Sequence, residues 1–172
     1  MLDIGANIGL WIITYSTILN KNSKIYAFEP QYKIYQCLMK NIFLNNANNV
    51  IPYNFGLSDE NTTHYMNVDY HQQTNFGAIS IVNKHNDNSL QIQCKIGYEL
   101  NLNNIGFIKI DIEGHEIQAL KGLKHTIKKH KPLMFIEIHP NTDSAMETFK
   151  LLYNYGYKKV LRFIDSNYLF MF

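Results

Sequence analysis

The chain has little of several things, and each shortage closes off a class. Among 172 residues only Cys37 and Cys94 are cysteines, without motif spacing, so no disulfide framework is expected and a reducing cytoplasm is the default compartment. Charged residues make up 17% and the net charge is +2, too small a surplus to argue for nucleic acid or an anionic membrane as partner. No apolar run approaches the roughly 18 residues of a membrane-spanning helix, and the first residues carry no basic flank. Neither a transmembrane helix nor a signal peptide is therefore expected. What remains, at 46% apolar content, is a globular chain of a size suited to a single domain over residues 1–172.

The shortage with most consequence is local. Met1-Leu2-Asp3-Ile4-Gly5-Ala6-Asn7-Ile8-Gly9 reads as a short buried strand that turns tightly into a helix. A dinucleotide turn would be Gly-x-Gly-x-x-Gly, but here Asn7 and Leu10 stand where its second and third glycines belong. Gly5 permits a backbone that a side chain would obstruct, and Gly9 is expected to let the helix start pack close to the sheet. The N–H groups at that helix start favour an anion. An acid two residues before the first glycine is awkward beside a pyrophosphate and suits an ammonium group. S-adenosylmethionine fits that pattern, with Asp3 accepting from its amine and the helix start receiving its carboxylate. A plain strand-to-helix turn stays open as the alternative.

The chain then alternates strand and helix. Ile8, Trp11, Ile12, Tyr15, Ile18 and Leu19 share one face of a helix, and Lys24 to Phe28 is a buried strand closed by Glu29 and Pro30. Ile34, Cys37, Leu38 and Ile42 mark the inner face of a second helix, which places Cys37 in core packing. Val50 to Tyr53 and Phe55 to Leu57 are expected to form a third strand ending at Ser58 and Asp59. Repeated βα units imply a parallel sheet with right-handed crossovers. Glu29, about twenty residues past the glycine turn, stands where an acid accepts from ribose hydroxyls. A nicotinamide cofactor would use the same acid. Asp59 is a candidate for an adenine amino group, with the Ser58 backbone lining the ring.

Residues 60–100 hold short alternating runs separated by polar turns, the pattern of a small antiparallel β insertion. His64, His71 and His85 lie in it without ligand spacing and are expected to be solvated. A second informative stretch follows, Gly106-Phe107-Ile108-Lys109-Ile110-Asp111-Ile112-Glu113-Gly114-His115-Glu116. A strand ending near Ile110 delivers Asp111 and Glu113 to the rim that carries Asp3 and Glu29. A helix then begins near His115, with Ile117, Leu120, Leu123 and Ile127 inward and lysines crowding its C-terminal half. Leu133 to His139 is another strand, ending in Glu137 and His139. Met146, Phe149, Leu152 and Tyr153 mark a last helix closed by Gly156, and Lys158 to Phe172 forms a hairpin. The expected fold is α/β: a Rossmann-like, doubly wound, mostly parallel sheet with an antiparallel C-terminal strand.

Taken together and in order, Asp3 to Gly9, Phe28-Glu29-Pro30, Gly56 to Asp59, Ile108 to Gly114 and Phe135 to Ile138 resemble the FkbM family of methyltransferases. The resemblance implies S-adenosylmethionine as cofactor and O-methylation of a hydroxyl, often on a sugar or polyketide. By it Asp3, Gly5, Asn7, Gly9 and Glu29 are cofactor residues, and Asp111 and Glu113 belong to the active site. Two departures stand out. Ile96-Gly97-Tyr98 occupies the place of a Thr-Leu-Asp element, and the chain starts directly on the first strand where relatives usually have an upstream segment.

A sugar hydroxyl is a poor nucleophile, so a base or a metal should help. Asp111, His115, Glu137 and His139 are the candidates. The carboxylates gathering one divalent ion through oxygen is the less favoured arrangement. The rival classes are a binding domain that has lost catalysis and a nicotinamide-dependent reductase. The missing third glycine argues against the latter.

Overall fold

The structure is a computed structural model that describes residues 1–67, 81–82, 89–140, 142–164 and 166–172. His71, His85 and most of the turns expected in the insertion lie outside the described residues.

Buried apolar strands form one seven-stranded sheet. Its members are β1 (Leu2–Ile4), β2 (Ile25–Phe28), β3 (Val50–Tyr53), β8 (Phe107–Ile110), β9 (Leu133–Glu137), β10 (Lys159–Arg162) and β11 (Asn167–Met171), in the order β10-β11-β9-β8-β1-β2-β3. Pairing is parallel from β3 across to β9, and antiparallel from β9 to β11 and β11 to β10. The chain grows outward from β1 through β2 and β3, then returns to β1's other side as β8. That reversal makes the carboxyl ends of β1 and β8 the switch point, where a crevice opens in such sheets.

Each face of the sheet has its own core. Helices α1 (Leu10–Ile18) and α2 (Tyr32–Leu44) cover one face, burying Ile12 and Leu38 against Ile25, Ala27 and Val50. On the other face, Leu2, Ile4, Ile108, Ile110, Met134 and Ile136 meet Leu120, Ile127 and Leu152, from α3 (Glu116–Gly122), α4 (Lys124–His130) and α5 (Asp143–Tyr155). Period-two alternation sends successive residues of β1 and β8 to opposite cores. α5 starts on Thr142, whose Oγ1 accepts from the Ala145 N–H. It ends on Gly156 at φ 109°, where the N–H groups of Gly156 and Tyr157 donate back to Tyr153 and Leu152.

Several expectations need correction. The run from Val50 to Ser58 is two strands. β3 ends at Tyr53, and β4 (Gly56–Ser58) joins a separate four-stranded sheet, β4-β7-β5-β6, with β5 (Thr62–Asn67), β6 (Ile81–Val82) and β7 (Ser89–Ile96). The second sheet pairs β5 antiparallel with β6 and β7, but β4 with β7 parallel. Of the face assigned to α1 only Ile12 is fully buried, while Trp11 stacks on Tyr15 near Phe135 and Ile18 is exposed. Cys37 is exposed, because α2 is covered on a narrower stripe than its apolar residues suggest. Met146 and Tyr153 of α5 are exposed as well. The helix after His115 breaks at Leu123 into α3 and α4.

No helix among the described residues is long and apolar enough to cross a membrane.

Candidate functional site

A cavity of about 570 Å³ opens at the carboxyl ends of β1, β2 and β8, lined by the glycine turn on one side and by Asp111, Ile112, Glu113, His115 and Glu137 on the other. The second sheet closes over it with Gly56, Leu57, Met66, Ile92 and Cys94.

The turn after β1 is held by its own backbone. The N–H groups of Gly5 and Ala6 both donate to the Phe28 carbonyl at the end of β2, and that of Gly9 donates to Ala6. Asn7 donates to Glu29 Oε2 at 3.0 Å, and Ile8 to the Asn7 side chain. These amides are therefore occupied and do not face a ligand. The first intrahelical bond is made by Ile13, and no side chain caps α1, so the N–H groups at Leu10 and Trp11, beside the cavity, stand in the anion-receiving position. Gly5 has φ 83°, and a Cβ there would overlap the Asp111 carbonyl oxygen. At Gly9, φ 95°, a Cβ would meet Leu38 at 2.7 Å, so this glycine lets α1 approach α2, not the sheet.

Glu29 is 4% exposed and lines the cavity. Each carboxylate oxygen takes one backbone N–H, Oε2 from Asn7 and Oε1 from Gln31. Burial nevertheless pushes its pKa up to about 7 against those two donors, with Asp3 adding a like charge. A carboxylate offers about four lone-pair sites, so acceptor capacity remains for a diol.

Asp3 is placed differently from the expectation. It is 0% exposed and does not line the cavity. It sits opposite Lys109 across the β1–β8 register. Lys109 Nζ is 3.4 Å from Asp3 Oδ1 and 3.2 Å from Asp111 Oδ2, and Lys109 does line the cavity. Neither Asp3 oxygen finds a hydrogen bond of good geometry, and burial raises its pKa to about 6 despite the nearby ammonium. For Lys109, burial would lower the pKa, but Asp3 and Asp111 together hold it above the usual lysine value. Removing the ammonium would leave a buried carboxylate without its counter-charge, a loss of about 3–5 kcal/mol. Lys109 was absent from the sequence-derived candidates. A lysine inside a buried apolar strand was the available signal, since it needs a carboxylate partner.

The acidic side of the cavity gathers four of the five candidate catalytic residues. Glu137, at the end of β9, has its pKa raised to about 7 by burial, by a hydrogen bond to Asp111 and by that neighbour's charge. Glu113 has φ 51°, a left-handed conformation uncommon outside glycine, followed by Gly114 at φ 95°. His139 lies outside the cavity lining and reaches the site through Glu113, with Nε2 3.1 Å from Oε2. His115 is buried, and its Nε2 lies 3.1 Å from Ser58 Oγ. Burial, with His64 adding to it, lowers its pKa to about 4. Ser58 and Asp59, expected beside an adenine, line a second concavity with His64 and Gln118 instead of the Glu29 cavity.

A sheet of this order with antiparallel final strands, opening at a glycine turn, is the fold of S-adenosylmethionine-dependent class I methyltransferases. Residues 3–159 match the methyltransferase FkbM domain, and the chain belongs to that family. It is 26% identical over 145 residues to the hexuronic acid methyltransferase AglP of Haloferax volcanii, an alignment covering 82% of this chain and 56% of the relative. In fold it is similar to the methyltransferase FkbM of Methylobacillus flagellatus KT, with a TM-score of 0.71 at 21% identity over 100% of this chain and 43% of that one. It is also similar to Aeropyrum pernix fibrillarin, solved with natively bound S-adenosyl-L-methionine, with a TM-score of 0.58 at 11% identity over 98% of this chain and 64% of that one. The chain thus spans about half the length of its curated relative and less than half of the Methylobacillus protein, at 56% and 43%.

Proposed function

We propose that this chain transfers a methyl group from S-adenosylmethionine to a hydroxyl of a sugar, with a uronic acid as the first acceptor to try. The observation that carries the reading is one cavity with two unlike ends. At one end Glu29 has spare acceptor capacity beside a backbone-tied turn; at the other Glu137 and Asp111 share a hydrogen bond. Family membership supports the donor, and the hexuronic acid methyltransferase supports a sugar acceptor.

When bound, S-adenosylmethionine supplies a methyl group activated by a sulfonium. Glu29 accepts the ribose hydroxyls, and the open N–H groups of α1's first turn receive the amino-acid carboxylate. Gly5, Asn7 and Gly9 shape that turn. Asp3 acts from behind the wall by fixing Lys109. The acceptor hydroxyl lies against Glu137, whose pKa of about 7 suits a base working near neutrality. Asp111, anchored by Lys109, orients that base, and Glu113 with His139 borders the acceptor's far side. Orienting the two reactants is the main contribution, which in favourable cases supplies about 7–11 kcal/mol of the barrier.

Asp111→Asn should lose turnover, read as S-adenosylhomocysteine released with a uronic acid glycoside, while still binding S-adenosylhomocysteine in a thermal-shift assay. Unchanged turnover would remove Asp111 from the chemistry. Stabilisation by NAD in place of S-adenosylhomocysteine would overturn the donor assignment.

A further inference from the structure

The second sheet carries two side chains the methyl-transfer reading leaves without work, and both converge on His115. In the β5–β7 ladder Thr62 stands opposite Cys94 and His64 opposite Ile92, so His64 and Cys94 are diagonal neighbours on one face. That face leans on the turn before α3. His64, Cys94 and His115 each present a ligand atom, and the three atoms lie within 4.8 Å of one another.

The hydrogen bonding around them leaves one buried ring nitrogen, His64 Nε2, without a partner. Ser58 Oγ donates its one hydrogen to Asp59 Oδ1 at 3.2 Å, so the 3.1 Å contact with His115 Nε2 must be donated by the ring. His115 Nδ1 is then the unprotonated nitrogen, its ring oriented from behind by the Ser58–Asp59 pair. This is the arrangement in which the second nitrogen of a metal-binding histidine is usually held. His64 Nε2 is buried and has no hydrogen-bond partner, and its ring meets that of His115 edge-on at 5.1 Å. Cys94 is a free thiol, 2% exposed. A buried imidazole nitrogen without a partner is costly, and one cation would satisfy it together with its two neighbours.

We propose that His64, Cys94 and His115 form a metal site for a zinc-class cation, separate from the carboxylates of the proposed methyl-transfer centre. Two imidazole nitrogens and one thiolate are a borderline-soft donor set; magnesium and calcium take oxygen ligands. Binding releases the thiol proton. The cation ties β5 and β7 to the turn bearing Glu113 and His115, joining the two sheets across the cavity wall.

Cobalt(II) added to the chelator-stripped full chain tests the site. A single equivalent should produce a near-ultraviolet thiolate-to-cobalt band and visible bands of a four-coordinate ion, both erased by zinc. Cys94→Ser should abolish the near-ultraviolet band, and His64→Gln should weaken cobalt binding by at least about tenfold. Cys37→Ser and Glu137→Gln should leave both sets of bands unchanged, and far-ultraviolet circular dichroism should show every variant folded. No thiolate band at saturating cobalt, or a band that survives Cys94→Ser, or one that disappears with Glu137→Gln, overturns the proposal. If Cys94→Ser does not fold, the His64→Gln and Cys37→Ser pair decides it.

Discussion

Glu29 and Asp3 are acids whose environment favours their neutral form, and this has a sign that can be measured. Both bind a proton more tightly folded than unfolded. Their contribution to stability is therefore fully present below about pH 4, and is lost as the pH rises through about 6 for Asp3 and about 7 for Glu29. His115 works the other way, since its folded pKa of about 4 lies below the ordinary 6.5 and its contribution is lost on acidification. Comparing Glu29→Gln with the parent cancels the slopes the two proteins share. The parent's margin in melting temperature over the variant should shrink between pH 5 and pH 8; a constant margin would contradict the environment assigned to Glu29. The same variant should bind S-adenosylhomocysteine about 10- to 100-fold more weakly by calorimetry, the loss expected for hydrogen bonds to a charged acceptor. Glu113→Gly is a second residue-level test. Relief of the left-handed strain, about 1 kcal/mol, is offset by the freedom glycine adds to the unfolded chain. Its melting temperature should stay within a few degrees of the parent while turnover falls. Among single residues, the acids at strand ends were legible because a carboxylate after a buried apolar run is a local pattern. The buried pairing of Lys109 with Asp3 and the meeting of His64 with His115 were not, because each joins residues far apart in the chain.

At the scale of elements, α3 is fitted to the second sheet through Gly122. A Cβ at that position would overlap the Ser58 carbonyl oxygen at the end of β4. Alanine is the better helix former by about 1 kcal/mol, so a helix judged alone would gain from Gly122→Ala. The packing predicts the reverse, a loss of about 1–3 kcal/mol and a melting temperature lower by several degrees, measured by calorimetry. The same scale explains where element boundaries were misread. Val50 to Leu57 carries Pro52, Asn54 and Gly56 among its apolar residues, and none of the three by itself says that the chain changes sheets there. Asn54 nevertheless turns the chain out of the first sheet, with its side-chain amide donating to the carbonyls of Glu29 at 2.9 Å and Pro30 at 3.2 Å. That bond exists only once β2 and β3 are paired. Likewise the break at Leu123 has no glycine or proline of its own, apart from the adjoining Gly122, whose reason is the contact with β4.

Over the whole molecule, the alternation of strands and helices was enough to read the order of layers, the parallel sheet and the hairpin that reverses its last strands. The position of the cavity followed, since the switch point falls where the chain leaves β3 and returns beside β1. How the second sheet closes over that cavity was not legible, because its pairing depends on residues far apart in sequence. Among the contacts that join the two halves, one leaves no room for a side chain. The loop expected to hold the donor and the turn bearing the acids meet main chain to main chain, Gly5 against the Asp111 carbonyl. Gly5→Ala should therefore push these halves apart and lower kcat more than it weakens S-adenosylhomocysteine binding, a split that steady-state kinetics and calorimetry together would read. In the proposed methyl transfer, the gap between donor and acceptor is thus gauged by the absence of a single carbon.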